Sequence, residues 1–147
     1  MKTLFDDGTR DEILARLDRL RPEPPRWGRM NASQMLCHTA DQLRSALGEL
    51  DGEVVRSPLA YPPLNWLFIY VLPWPRGKAK SPPSLLQTRP TMWDADRAAL
   101  RTLIHRFAER GEQAPWPASP AFGKISGRAW GVLAYRHLDH HLRQFGA

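Results

Sequence analysis

The stretch Tyr135–Phe145, YRHLDHHLRQF, decides how this chain is read. His137 and His141 stand four residues apart. On an α-helix that spacing puts both on one face, a turn apart, with Cβ atoms about 6 Å from each other. Take His137 as zero and turn about 100° per residue. Trp130 then falls at about 20°, Leu133 at about −40°, His141 at about 40° and Gln144 at about −20°. Both histidines sit inside an apolar stripe, and Arg136, Asp139 and Arg143 lie on the other side. His140 falls at the stripe's edge, at about −60°, a place for a supporting or surface role. A buried imidazole without a partner costs free energy, and two together are harder for bystander groups to satisfy. One shared cation satisfies both, provided a third ligand comes from another element. His38, nearly a hundred residues upstream, is the candidate.

His38 belongs to a second helix predicted from Met30 or Asn31 to about Leu50. Asn31 suits the N-cap, with Gln34 three residues on in a capping-box arrangement. Met35, Leu36, Leu43, Ala46, Leu47 and Leu50 form its apolar side. His38 sits beside that face in a polar strip with Gln34, Gln42, Ser45 and Glu49, which could line a pocket at one end of a bundle. Gln42, one turn after His38, is placed to meet a substrate or a water at the metal, whereas Ser45 and Glu49 read as solvated. Cys37 points about 100° away from His38, so a Cys–His nucleophile pair is not supported. His105 lies opposite Leu103 and Phe107 and also reads as solvated.

Three further helices follow from periodicity and caps. Asp11–Leu20 carries Leu14, Leu17 and Leu20 as a stripe. Asp94–Arg110 is capped by Asp94, turns Leu100, Leu103, Ile104 and Phe107 inward, and stops at Gly111. The last helix runs from about Gly127 to Phe145, capped by Ser126 and ended by Gly146. Residues 51–92 hold eight of the fourteen prolines (58, 62, 63, 73, 75, 82, 83 and 90) and read as an elaborated connection. Within it, PPLNWLFIYVL predicts a short helix, apolar nearly all round, with Pro62 or Pro63 in its first turn and Pro73 as its stop. A buried strand is the competing reading. PWPRGKAKSPPSLLQTRP reads as irregular. Four substantial helices, one short one and no clear strand predict an all-α helical bundle in one domain spanning 1–147.

The bulk numbers fit. The chain has 147 residues, 42% hydrophobic and 24% charged, enough to bury a core without disulfides. Its single cysteine, Cys37, excludes an internal disulfide and favours a reducing compartment. The opening MKTLFDDGTRDEILARL lacks the apolar segment of a secretory signal, and the longest apolar run, Trp66–Pro73, is far short of a bilayer span. The net charge is +6, but the positive residues are scattered. Only Arg76, Lys78 and Lys80 cluster, so nucleic-acid binding is not expected.

Three imidazoles on one ion leave coordination positions open, a catalytic pattern. Zinc, nickel and iron all accept imidazole. At this point the segments WGRMNASQMLCHTADQLR (27–44) and SPAFGKISGRAWGVLAYRHLDHHLRQFG (119–146) resemble the DinB/YfiT-like superfamily, and within it a branch described as a domain of unknown function. The resemblance implies a four-helix bundle with a divalent metal in a pocket at one end. One histidine of the second helix and an HxxxH pair of the last would hold the metal. Carried onto this chain, the ligands are His38, His137 and His141. The resemblance also implies a bacterial, cytoplasmic and often dimeric protein. Members with known roles include thiol transferases that use mycothiol or bacillithiol, and related isomerases. Where relatives of this branch often carry a histidine before the proline of SPAFG, this chain has Ser119.

Two functions follow as expectations. The first is a divalent-metal enzyme, with zinc or nickel first and iron next. It would activate a low-molecular-weight thiol for S-transfer to an electrophile, and Arg76, Lys78 or Lys80 would meet a carboxylate or phosphate of the cosubstrate. Hydrolysis is a variant, with Asp41 and Glu49 as candidate bases; no residue is assigned as catalytic. The alternative is a non-catalytic ligand-binding or stress-related helical module with a structural or vestigial metal, in which Trp66, Trp74 and Trp93 line a pocket or a homodimer interface.

Overall fold

The Asn31 side chain accepts the Gln34 N–H at 2.8 Å, and the Gln34 side chain accepts the Asn31 N–H at 2.9 Å, so the expected capping box closes in both directions. It starts α2 (Ala32–Leu47) in the computed structural model, which describes residues 1–77 and 81–147. The other helices are α1 (Asp7–Arg19), α3 (Leu64–Tyr70), α4 (Trp93–Arg110) and α5 (Gly127–Gln144). Short 3-10 turns lie at Pro58–Ala60 and Pro83–Leu86. Among the described residues there is no strand, only an isolated bridge between Ser119 and Gly123, and the chain is all-α as expected. No described helix is long and apolar enough to cross a membrane.

Helix α2 packs on α4, on α5 and on the 83–86 turn, while α1 packs on α4 and α5. Leu36, Leu43, Ile104, Phe107 and Trp130 fill the shared core at 1% exposure or less. Trp130 lies about 10 Å along α5 from His137, given a rise of about 1.5 Å per residue. Near Trp130 the core is aromatic: Phe107 and Trp116 lie 4.8 Å apart and Trp116 and Trp130 6.4 Å apart, between ring centroids. The histidines occupy the later turns of α5.

Several boundaries differ from expectation, each for a physical reason. Helix α1 begins at Asp7, not Asp11: Thr9 of its polar first turn is buried and Arg10 pairs there with Asp7. Leu4 is fully buried, and its N–H donates to the Gly131 carbonyl at 3.1 Å. Gly131 is required there: a Cβ would come within 2.2 Å of Thr3 Oγ1 and 2.5 Å of the Phe5 ring. Helix α2 stops at Leu47, because Gly48 adopts a left-handed φ of 79° and its N–H returns to the carbonyls of Arg44 and Ser45. Leu50 therefore lies beyond the helix. Asp94 does not cap α4. Met92 holds the N-cap position, Asp94 pairs with Arg97 in the first turn, and Asp96 accepts the Thr91 N–H at 2.8 Å. Ser126 caps α5 as expected, by accepting the Ala129 N–H, and the helix ends at Gln144.

The apolar segment 64–70 is a helix and not a strand, but it is not buried all round. Pro63 holds its N-cap position, only Asn65 and Ile69 are buried, and Trp66 is 54% exposed. Its end is held from α5. Arg136 donates to the carbonyls of Phe68, Ile69 and Leu72 at 2.5–2.9 Å, satisfying acceptors that a helix terminus leaves free. Asp139 is also no solvated residue, since it takes Arg16 of α1 at 2.7 Å. The tract read as irregular contains the 83–86 turn. Lys78 and Lys80 lie outside the described residues.

Candidate metal centre

The capping box fixes where α2 starts, and the Ser126 cap does the same for α5. Packing of α2 on α5 then brings His38 against the His137/His141 face. The three rings cluster with centroids 4.7 Å (His38–His137), 5.0 Å (His38–His141) and 4.7 Å (His137–His141) apart. One ring nitrogen from each lies within 4.8 Å of the others. The expectation that these residues converge from opposite ends of the chain holds as geometry.

Two of the rings are locked from outside. His38 Nδ1 lies 2.8 Å from the Leu85 carbonyl, so it carries the proton and donates it there. His141 Nδ1 lies 2.7 Å from Gln144 Oε1, while Gln144 Nε2 donates to the Trp27 carbonyl at 2.7 Å. Both locks leave an Nε2 lone pair for the interior, as an imidazole ligand needs. His137 is different. Its Nε2 is 2.9 Å from His38 Nε2, and its buried Nδ1 has no partner among the described residues. If His137 Nε2 donates to His38, a lone pair is stranded in the core at Nδ1. If it does not, two lone pairs face each other at contact distance. Protein groups alone leave the cluster unsatisfied either way. A cation resolves the facing lone pairs of the second arrangement, and the His137 Nδ1–H is then the group of the cluster without a partner among the described residues. With metal–nitrogen bonds of about 2.0–2.1 Å, tetrahedral ligand nitrogens sit about 3.3–3.4 Å apart, so the 2.9 Å pair needs only a small opening to admit an ion. The residues present fit a divalent ion.

The electrostatics suit neutral ligands. Burial first, then the neighbouring imidazoles, pushes His137 well below the ordinary histidine range. His141 is pushed down to about 3, by burial first and then by His38. Burial lowers His38 too, opposed by the Leu85 hydrogen bond. Neutral rings need shed no proton to bind metal. They also set a pH dependence in metal-free protein. Unfolded histidines gain protons below about pH 6.5, and these buried ones do not. Stability is therefore complete above that pH and falls as the medium is acidified toward the depressed folded values. The unfolding free energy of metal-free protein is expected to drop between pH 7 and 5, by on the order of 2 kcal/mol for one imidazole kept neutral throughout, and the urea midpoint with it. A midpoint that stays level would show that the rings titrate normally.

The surrounding residues sort as follows. Gln42 is buried, and its Oε1 has no donor among the described residues. Ser45 is buried as well, against expectation, because the strip turns into the bundle. Glu49 lies outside α2 and is paired with Arg106. Asp41 is fully buried and takes hydrogen bonds from Gln87, Thr88 and Arg44, which fill its lone pairs. Neither carboxylate is free to act as a base. The Arg76 guanidinium lies over the Trp27 indole at 4.8 Å. Trp74 lies 5.9 Å from His137 and 6.0 Å from the half-buried His140, so it belongs to the site, while Trp66 and Trp93 do not touch the imidazoles. Cys37 is buried and its thiol is pushed up to about 11, chiefly by burial, which leaves it inert at neutral pH. His105 is exposed as expected. Sequence reading missed two supports. Gln144 was visible as a polar residue in the apolar stripe, three after His141. The Leu85 acceptor is a main-chain group and has no side-chain signature.

No curated protein and no solved structure matches the chain. One protein-family model does, over residues 6–145 and so nearly the whole length, and it contains both α2 with His38 and α5 with the HxxxH pair. The chain belongs to the DinB superfamily.

Proposed function

We propose that His38, His137 and His141 hold a divalent ion, zinc or nickel first and iron next, and that the protein is a metal-dependent enzyme of a cytoplasmic setting. The reaction would be transfer of a low-molecular-weight thiol to an electrophilic carbon. The observation that carries this reading is the unsatisfied meeting of the His38 and His137 nitrogens, 2.9 Å apart in a buried site. Bound there by three neutral ligands, a divalent ion keeps its full charge and supplies Lewis acidity that lowers the pKa of a thiol.

The chain's own residues then bind and orient. Gln42 Oε1, which lacks a donor among the described residues, accepts a hydrogen bond from the thiol cosubstrate. Arg76, stacked on Trp27, meets a carboxylate of that cosubstrate. Trp74 covers His137 and limits water. The test is reconstitution with zinc, nickel or iron(II), followed by a transfer assay with a panel of small thiols and an activated aryl halide. Stoichiometric metal with thiol-dependent turnover is expected, and His140→Ala should retain the metal. Wild-type protein that takes up no metal would overturn the reading.

A second reading is favoured by a separate observation. Tyr61, Trp66 and Val71 expose 67%, 54% and 55% of their surface around α3. An apolar surface of this kind suits a homodimer contact or a non-catalytic ligand-binding or stress-related module. Metal uptake without turnover, together with a dimer in sedimentation, would select it.

A further inference from the structure

His38 is aimed by a main-chain carbonyl, and the chain around that carbonyl is itself held. The Leu85 carbonyl belongs to the 83–86 turn, in the proline-rich connection. Two residues later the chain meets Asp41. Oδ2 of Asp41 accepts the N–H groups of Gln87 at 2.9 Å and Thr88 at 2.8 Å. Oδ1 accepts the Thr88 hydroxyl and Arg44 Nη1, the latter at 3.1 Å, and Arg44 also reaches Thr88 Oγ1 at 3.1 Å. Asp41 is fully buried, and it follows His38 by three residues on α2, so the two stand on neighbouring positions of one face. The segment 85–88 is thus gripped twice by one turn of helix. His38 holds the carbonyl at 85, and Asp41 holds the amides at 87 and 88. The other side-chain tie on this segment, from Gln87 Nε2 to the Asp51 carbonyl at 3.3 Å, runs to an exposed loop. Burial of the Leu85 side chain places the segment but does not set the direction of its carbonyl.

We propose that Asp41 is a positioning residue for the metal centre: by clasping residues 87 and 88 it aims the Leu85 carbonyl at His38 Nδ1 and so holds His38 with Nε2 facing the other two imidazoles. This rests on the reading of the three histidines as ligands, and it adds a carboxylate that touches neither metal nor ligand ring. Outer partners that orient a ligand histidine through its second nitrogen are worth about 10–100-fold in metal affinity.

The experiment uses the full chain and three variants. Asp41→Asn keeps the shape and removes the charge and one acceptor. Thr88→Val removes the hydroxyl and keeps the N–H. Ile13→Ala, a core truncation on α1, controls for lost stability. Ring-nitrogen chemical shifts of His38 are measured in metal-free protein, and zinc dissociation constants by competition with a chromophoric chelator. Wild type and Ile13→Ala should show a single His38 tautomer protonated at Nδ1. Asp41→Asn and Thr88→Val should show a mixture of tautomers, with zinc bound about 10–100-fold more weakly. A single unchanged tautomer in whichever of these two variants folds would overturn the clasp. Wild type that binds none of zinc, nickel and iron(II) would remove the metal reading, while the tautomer measurement, made without metal, still decides the clasp.

Discussion

His137→Ala is expected to lose stoichiometric metal, with affinity falling by at least about 100-fold. Outer partners of a ligand are worth about 10–100-fold, and removing a ligand itself costs more. The choice of His137 over its neighbours follows from geometry. It is the ring whose Nε2 meets His38 at 2.9 Å and whose other nitrogen has no partner among the described residues. Truncating it deletes a ligand and frees only the facing His38 Nε2, itself a ligand in this reading. Truncating His141 would release Gln144, which also holds the Trp27 carbonyl, and so would mix metal loss with local rearrangement. Metal analysis after dialysis against a weak chelator reads the result. Retention of one equivalent in the variant would remove His137 from the ligand set.

The largest effect on stability is expected from Trp130→Ala, about 3–5 kcal/mol by urea unfolding, with α5 otherwise intact. Trp130 is 1% exposed, its Nε1 donates to the Pro117 carbonyl at 3.0 Å, and its ring abuts Trp116. Truncation opens a cavity the size of an indole and leaves that carbonyl without its donor. Trp66→Ala provides the contrast, because its side chain is mostly in solvent and the change should fall within about 0.5 kcal/mol. Equal losses at the two positions would mean that the aromatic end of the core is not where the packing energy resides.

How far the chain could be read from its residues depended on whether a signal was local. Asn31 with Gln34 and Ser126 before α5 act over three or four positions, and their types name their roles, whereas the equally local stop at Gly48 was read through when α2 was run on to about Leu50. The paired histidines were legible for the same reason: helical spacing turns a sequence interval into an angle. Long-range effects were not legible. The segment leading into α1 is tied down by Leu4 bonding to Gly131, 127 residues away. Arg136 was placed only on the side of α5 away from the apolar stripe, because nothing near it in sequence shows that α3 ends against it. Asp41 offered itself as a base by proximity, and only its four hydrogen-bond donors show that its oxygens are already committed.

The support of His38 by a main-chain oxygen has a consequence for how this chain tolerates change. Because the carbonyl of residue 85 is the same whatever side chain is attached, substitution there leaves the acceptor in place so long as the new side chain still packs. Insertion or deletion between residues 83 and 88 is another matter, since one residue more or fewer swings that oxygen away from the ring. Drift in spelling should be benign in this region of the connection, and drift in length should not.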